Sequence, residues 1–221
     1  MNILFIATVY NHLAAFHKPF IKYFQEKDYT VHVAGSNSMG RKDELEQLGV
    51  ICHDISFERS ILSKNNIRAL RELNELFDNI HFDLIHVHTP IAAFLTRCVL
   101  RKKKLQGPLL YTAHGFHFFK GAPKKNWILF YSAEKIAKRW TDAIIVLNKE
   151  DQALAKQMGF KHNDNLFFVN GVGVDLNEFS ERAEKDISIR KELNLSKDDV
   201  LISCVAELIH NKNQMFLLKN W

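Results

Sequence analysis

Hydrophobic positions along this chain alternate between two periods. Residues 2–8 (NILFIAT) form a continuous apolar run, the pattern of a strand buried on both faces. Residues 9–15 predict a loop. From Phe16 to Lys27 the spacing becomes helical, with Phe16, Phe20 and Phe24 every fourth residue. Pro19 fits only near the first turn of that helix. Residues 29–34 (YTVHVA) predict a second strand, 41–48 a short helix and 50–54 (VICHD) a third strand. Ile67, Leu70, Leu73, Leu76 and Phe77 mark an amphipathic helix over 63–79, with Ser63 as its N-cap. Strands at 83–88, 109–113, 142–147 and 166–169 then alternate with helices at 91–103, 125–139 and 149–158. Such alternation predicts an α/β fold: a Rossmann-like, mostly parallel sheet with helices on both faces.

After Asn170 the texture changes. Two glycines and an acidic turn (GVGVDLNEF) lead into a highly charged segment. The expected organisation is one domain over 1–170, a linker over 171–198, and the first strand (199–205) and helix (211–221) of a second α/β domain. About 20 residues cannot bury a core of their own, so the second domain is expected to be incomplete.

Composition narrows the class. Of 221 residues, 47% are apolar and 25% charged, the globular range. The formal net charge of +5 favours acidic partners without choosing among phosphates, anionic lipid and nucleic acid. Cys52, Cys98 and Cys204 are scattered, with no CxxC, and read as reduced core cysteines of a cytoplasmic protein. No apolar run reaches the ~18 residues of a membrane span.

Candidate chemistry concentrates in residues 109–119 (LLYTAHGFHFF), where an apolar strand stops at Ala113-His114-Gly115. In open α/β sheets ligands bind beyond the carboxyl ends of the strands. His114 stands at such an end, and His117 follows it among phenylalanines. His86 and His88 alternate on the preceding strand and so share a face. Those four could form a metal site, but no carboxylate or cysteine has ligand spacing with them, and the alternative is histidines lining a polar cleft or satisfied in the core. His12 and His17 are expected at the same carboxyl edge. The first strand is followed by no glycine-rich turn, so a dinucleotide fingerprint is missing, and the Y-x-x-x-K match at Tyr131–Lys135 lacks its context. The run Arg101–Lys104 reads as a solvated helix end, or, with Lys120, Lys124 and Lys125, as a patch for anionic lipid.

Several motifs together resemble one family. MNILFIATVYNHLAAFHKPFIKYF (1–24), FDLIHVHTP (82–90), YTAHGFHFF (111–119), DAIIVLN (142–148), VNGVGVDLNEF (169–179) and VAELIHNKNQ (205–214) occur in the order found in retaining GT-B glycosyltransferases of family 4. The resemblance implies two Rossmann-like domains, the first binding acceptor and the second a nucleotide-sugar, most readily a UDP-sugar. It implies a lipid-linked or oligosaccharide acceptor in cell-surface polysaccharide synthesis, peripheral contact with the inner membrane face, no nucleic acid, and neither cofactor nor required metal. By the same resemblance His114 is the catalytic cleft histidine and Lys212 meets the donor diphosphate. Glu207 stands where many members carry arginine. His12 and Gly171 fall on the donor side, and His17, His88 and His117 line the cleft. The family's E-x₇-E segment would lie beyond residue 221, so this chain is expected to be truncated and inactive alone. Two alternatives stay open: a non-catalytic fragment that binds acceptor or a partner, and a GT-B sugar-nucleotide 2-epimerase.

Overall fold

The computed structural model describes residues 1–60, 63–103, 106–174, 176–177, 187–208 and 212–220. The chain divides into two compact units, Met1–Gly173 and Val174–Trp221.

The first unit is a seven-stranded sheet in the order β3-β2-β1-β4-β5-β6-β7. The strands are β1 (Asn2–Val9), β2 (Thr30–Ser36), β3 (Ile51–Asp54), β4 (Leu84–His88), β5 (Leu109–Ala113), β6 (Ala143–Val146) and β7 (Leu166–Phe168). Every pairing is parallel. The order reverses between β1 and β4, and this is the topological switch point of the sheet.

Helices cover both faces. On one side α1 (Tyr10–Phe16), α2 (Lys18–Gln25) and α3 (Lys42–Glu46) close over Ile3, Phe5, Ala7, Val31 and Val33. On the other, α4 (Asn65–Asn79) and α5 (Pro90–Leu100) pack on Leu4, Ile6, Ile85 and Val87. The helical stretch after β5 begins as α6 (Lys124–Asn126), passes through a π-helical segment (Trp127–Tyr131), and continues as α7 (Ser132–Ala137) and a 3₁₀ turn (Lys138–Trp140). The last helix of this unit is α8 (Lys149–Met158), capped at both ends: the Asn148 side chain accepts from the Asp151 amide, and Gly159 takes the left-handed conformation.

The expected loop over 9–15 is instead α1, which starts directly from the end of β1. Gly35 permits this. A Cβ there would stand 3.1 Å from the Ala7 carbonyl and 3.2 Å from the Tyr10 amide, so only glycine lets β2 run beside the strand-to-helix corner without displacement. The Phe16/Phe20 stripe is not core: both rings are more than 40% exposed, while Ile21 is buried. Two members of the basic run are engaged within the chain, while Lys102 is exposed. Lys103 pairs with Asp78 and Arg101 lies over the Trp140 ring; Lys104 lies outside the described residues. Topology sets the run apart from Lys120, Lys124 and Lys125. α5 runs back to the amino edge of the sheet before β5 begins, whereas Lys120 to Lys125 follow the carboxyl end of β5.

The second unit holds α9 (Ile187–Glu192) and α10 (Gln214–Asn220). The strand expected over 199–205 is not formed; its apolar residues Val200, Ile202 and Val205 are exposed. A strand needs a neighbouring backbone to satisfy its amides and carbonyls. Among the described residues of this unit no such partner exists. Of the expected helix over 211–221, Asn211 and Trp221 lie outside the described residues. No described helix is long and apolar enough to cross a membrane.

Candidate active site

The switch point is built from histidines. His12 sits on α1, directly after β1. His17 is the residue between α1 and α2. His88 ends β4, and His114 follows β5 by one residue. Because β4 pairs with β5 in the register His86↔Leu110 and His88↔Thr112, the even-numbered residues of both strands face α1 and α2. The fold-back of α1 then brings the other two rings onto them.

Each of four rings contributes one nitrogen to a common point. His17 Nε2 lies 3.2 Å from His88 Nδ1. His88 Nδ1 lies 3.2 Å from His114 Nε2. His114 Nε2 lies 3.3 Å from His12 Nε2. All four atoms fall within 4.8 Å of one another. His17 and His88 are buried, His12 is half-buried and His114 is exposed. Burial, reinforced by the neighbouring rings, holds His12 and His17 down to about 3 and His88 well below the ordinary imidazole range; burial lowers His114 as well. The group is therefore neutral at pH 7, each ring with one lone pair to give.

This is not the set that strand alternation suggested. His86 shares the face but turns Nε2 to the Thr112 hydroxyl at 2.8 Å. His117 lies outside the cluster, with its ring 5.0 Å from that of Phe130. It lines a groove of about 610 Å³ with His12, Arg59, Pro90, Leu129 and Phe130. Mostly apolar walls and one guanidinium give the groove the character of a site for a partly apolar ligand bearing negative charge.

The loop after β5 is pinned on both sides. The Phe116 amide donates to Asp151 at 3.3 Å, and the Asn126 side chain donates to the His117 carbonyl at 2.9 Å. Beside it, Thr89 adopts φ 61° and ψ 139°, unusual for a β-branched residue. Its hydroxyl accepts from the Thr8 amide at 2.9 Å and hydrogen-bonds the Thr8 hydroxyl at 2.7 Å, locking the ends of β1 and β4 together. Thr8, Thr89 and Arg59 were not legible as site residues. Thr8 lies near the end of β1, Thr89 directly after β4, and Arg59 in a connection with no motif of its own.

Gly171, after β7, has φ +86° and open space where a Cβ would stand. It satisfies a left-handed turn and no close approach. Glu207 and Lys212 belong to the second unit and are both exposed; the Glu207 carbonyl accepts from the Gln214 side chain at 2.8 Å.

A doubly wound parallel sheet with a histidine-rich crevice at its switch point defines a Rossmann-like unit. Residues 2–148 match the family described as Glycosyl transferase 4-like, and the chain belongs to that family. It is 36% identical to the protein named "Putative glycosyltransferase EpsD" of Bacillus subtilis (strain 168) over 222 residues, covering 99% of this chain and 56% of that protein. A 41.2 kDa protein of the Klebsiella pneumoniae cps region is 28% identical over 142 residues, covering 62% of this chain and 38% of its own length. The chain thus spans about half, or less, of these relatives. Among solved structures, the Anabaena HepE complex with UDP and glucose superposes with a TM-score of 0.59 at 18% identity, over 88% of this chain and 50% of HepE. The S. aureus MnaA–UDP structure gives 0.63 at 13% identity, over 87% and 51%. At these identities the likeness establishes the fold.

Proposed function

We propose that this chain supplies the acceptor-side domain of a glycosyltransferase that moves a sugar from a UDP-sugar to a lipid-linked or oligosaccharide acceptor, with retention, in cell-surface polysaccharide synthesis. The observation that carries the reading is the exposed His114 ring at the carboxyl end of β5, beside a groove that combines apolar walls with Arg59. Family membership supports transfer chemistry, and the relative named as a glycosyltransferase matches along nearly the whole chain. The donor class draws support from HepE, solved with UDP and glucose.

Chemically, breaking the bond between the anomeric carbon and a diphosphate leaves negative charge on the leaving group and positive character on the sugar. A neutral imidazole at the cleft edge donates a hydrogen bond to a sugar hydroxyl without adding positive charge beside an oxocarbenium-like centre. Lys212 neutralises the leaving diphosphate, and Gly171 shapes the turn on the donor side. The acceptor's isoprenoid follows Pro90, Leu129 and Phe130, with its phosphate at Arg59 and His117. Contact with a membrane face follows from such an acceptor.

Calorimetric titration with a short-chain polyprenyl-diphosphate sugar tests this. Binding is expected to weaken about tenfold in Arg59→Gln, the loss of one charge-assisted contact. Absence of binding to the wild-type chain, or equal affinity in Arg59→Gln, overturns the acceptor assignment. Two neighbours of this architecture are described as UDP-N-acetylglucosamine 2-epimerases, one of them from Listeria monocytogenes with a TM-score of 0.58 at 13% identity. Conversion of UDP-N-acetylglucosamine to its C2 epimer by the protein would replace transfer with that reading.

A further inference from the structure

We propose that His12, His17, His88 and His114 together bind one divalent transition-metal ion of the zinc class at the carboxyl edge of the sheet. The proposal goes beyond the transfer reading, which involves no metal.

Geometry carries it. Zinc–imidazole bonds of about 2.0–2.1 Å in tetrahedral array place neighbouring nitrogens roughly 3.3–3.4 Å apart. The three successive contacts in the cluster are 3.2, 3.2 and 3.3 Å. With the widest pair inside 4.8 Å, small rotations of the half-buried His12 and exposed His114 rings bring all four onto one centre.

Hydrogen bonding alone explains the cluster poorly. Only one nitrogen of each ring points inward, and a ring nitrogen offers either one proton or one lone pair. Three contacts link four such atoms in a line, His17–His88–His114–His12. Two well-formed hydrogen bonds exhaust them, and the middle contact is left without one. The outer nitrogens of the two buried rings, His17 Nδ1 and His88 Nε2, have no hydrogen-bond partner. Nothing on the far side of either ring therefore demands a lone pair there. Both can carry their proton outward and turn a lone pair toward the common point. A cation accepts four lone pairs at once.

The donor set names the metal class. Four neutral imidazoles without a carboxylate suit zinc, copper, nickel or ferrous iron, and not magnesium or calcium, which take oxygen ligands. The ligands come from α1, the α1–α2 junction, β4 and the end of β5, so the sheet fixes their spacing. His17 and His88 form a buried floor, and the more accessible His12 and His114 leave a way in. An ion held here engages Nε2 of His114, the exposed ring of the four. Occupancy and contact of that nitrogen with a sugar exclude each other, so the ion acts as an inhibitory ligand.

The test uses the purified chain stripped with a chelator, with Zn²⁺ and Co²⁺ as probes at pH 7.5. Equilibrium dialysis is expected to show one tightly bound zinc per chain, and Co²⁺ to give the intense visible bands of a tetrahedral site. His12→Ala and His114→Ala alter accessible rings, so the metal-free fold is expected to persist by circular dichroism. Each is expected to weaken binding by more than the roughly 10–100-fold that loss of an outer-shell partner costs. A histidine pair apart from the cluster, His32 and His53, serves as control: His53→Asn is expected to leave zinc affinity unchanged. No zinc binding by the wild type, equal binding of Mg²⁺, or loss in His53→Asn with retention in His12→Ala overturns the proposal. No sugar-nucleotide or acceptor enters these measurements, so failure here and failure of the transfer reading are separate results.

Discussion

Arg97 and Glu134 form a forked, buried ion pair. The two guanidinium–carboxylate contacts are 2.7 and 2.9 Å, and Arg97 is wholly buried. Its Nε donates to the Ala93 carbonyl at 3.0 Å, and the guanidinium lies 4.5 Å from the centre of the Tyr111 ring. The pair thus clamps α5 to α7 beneath β5, the strand that presents His114. Breaking such a pair from one side strands a buried charge. Glu134→Leu is expected to cost about 3–5 kcal/mol, and the double change Arg97→Met/Glu134→Leu far less than the sum of the singles. Urea denaturation of the four proteins measures the coupling; additive losses would show that the two side chains do not act as a unit.

Gly107 fixes how closely the turn into β5 approaches β4. A Cβ there would lie 2.4 Å from the Asp83 carbonyl oxygen and 2.7 Å from that of Phe82, backbone atoms that cannot swing away. The Gly107 amide also donates to the Phe82 carbonyl at 2.8 Å. Gly107→Ala is expected to lower stability by at least the roughly 1–3 kcal/mol of an overpacked core. Thermal unfolding checks it, and an unchanged melting temperature would refute the close approach.

How much of this was legible in the sequence depended on whether one element could be read by itself. β5 and α8 have the bounds their patterns predicted, because each carries its own signal: a short apolar run, or a periodic stretch between Asn148 and Gly159. α1 was missed because it has neither a capping side chain nor a breaker before it. Its position depends on Gly35 in the neighbouring strand, β2. The same gap hid the composition of the histidine cluster. Alternation placed His86 and His88 on one face, but only the fold-back of α1 decides that His12 and His17 join His88 and that His86 turns to Thr112. The apolar run at 199–205 shows the converse. Its pattern is that of a strand, but pattern cannot supply the neighbouring backbone a strand requires.

His32 makes stability depend on pH. The ring is 5% exposed, its Nδ1 stands 2.9 Å from His53 Nε2, and the two rings are stacked. Burial, then the facing His53, lowers its pKa to about 4. His53 is itself lowered by burial, opposed by Asp54. An unfolded histidine titrates near 6.5. Between about 6.5 and 4 the unfolded chain therefore binds a proton that the native His32 refuses. Stability is complete above that window, falls as pH drops through it, and stops falling on this account below about 4. Without added metal, the wild type is expected to lose on the order of 2 kcal/mol more than His32→Asn between pH 7.5 and 4.5. Parallel losses in the two proteins, measured by urea denaturation across that range, would remove His32 as a source.

Asp151 anchors the loop that carries His114. Both of its carboxylate oxygens lie 3.3 Å from the Phe116 amide, one also accepts from the Asn148 side chain at 2.8 Å, and its own amide donates to Asn148 Oδ1 at 2.8 Å. The reciprocal Asn148–Asp151 contacts form the N-terminal cap of α8, so the helix start and the loop after β5 share one carboxylate. Burial raises the Asp151 pKa, and the Phe116 and Asn148 donors pull it back. Asp151→Ala leaves the Phe116 amide buried without an acceptor, at a cost of about 1–3 kcal/mol. Amide exchange at Phe116 is expected to accelerate, and zinc affinity to fall although no ligand has been touched. Asp151→Asn keeps one oxygen facing the amide and is expected to restore most of both. If exchange at Phe116 is as slow in Asp151→Ala as in the wild type, the loop is held by the Asn126–His117 contact instead, and His114 owes its place to α6 rather than to α8.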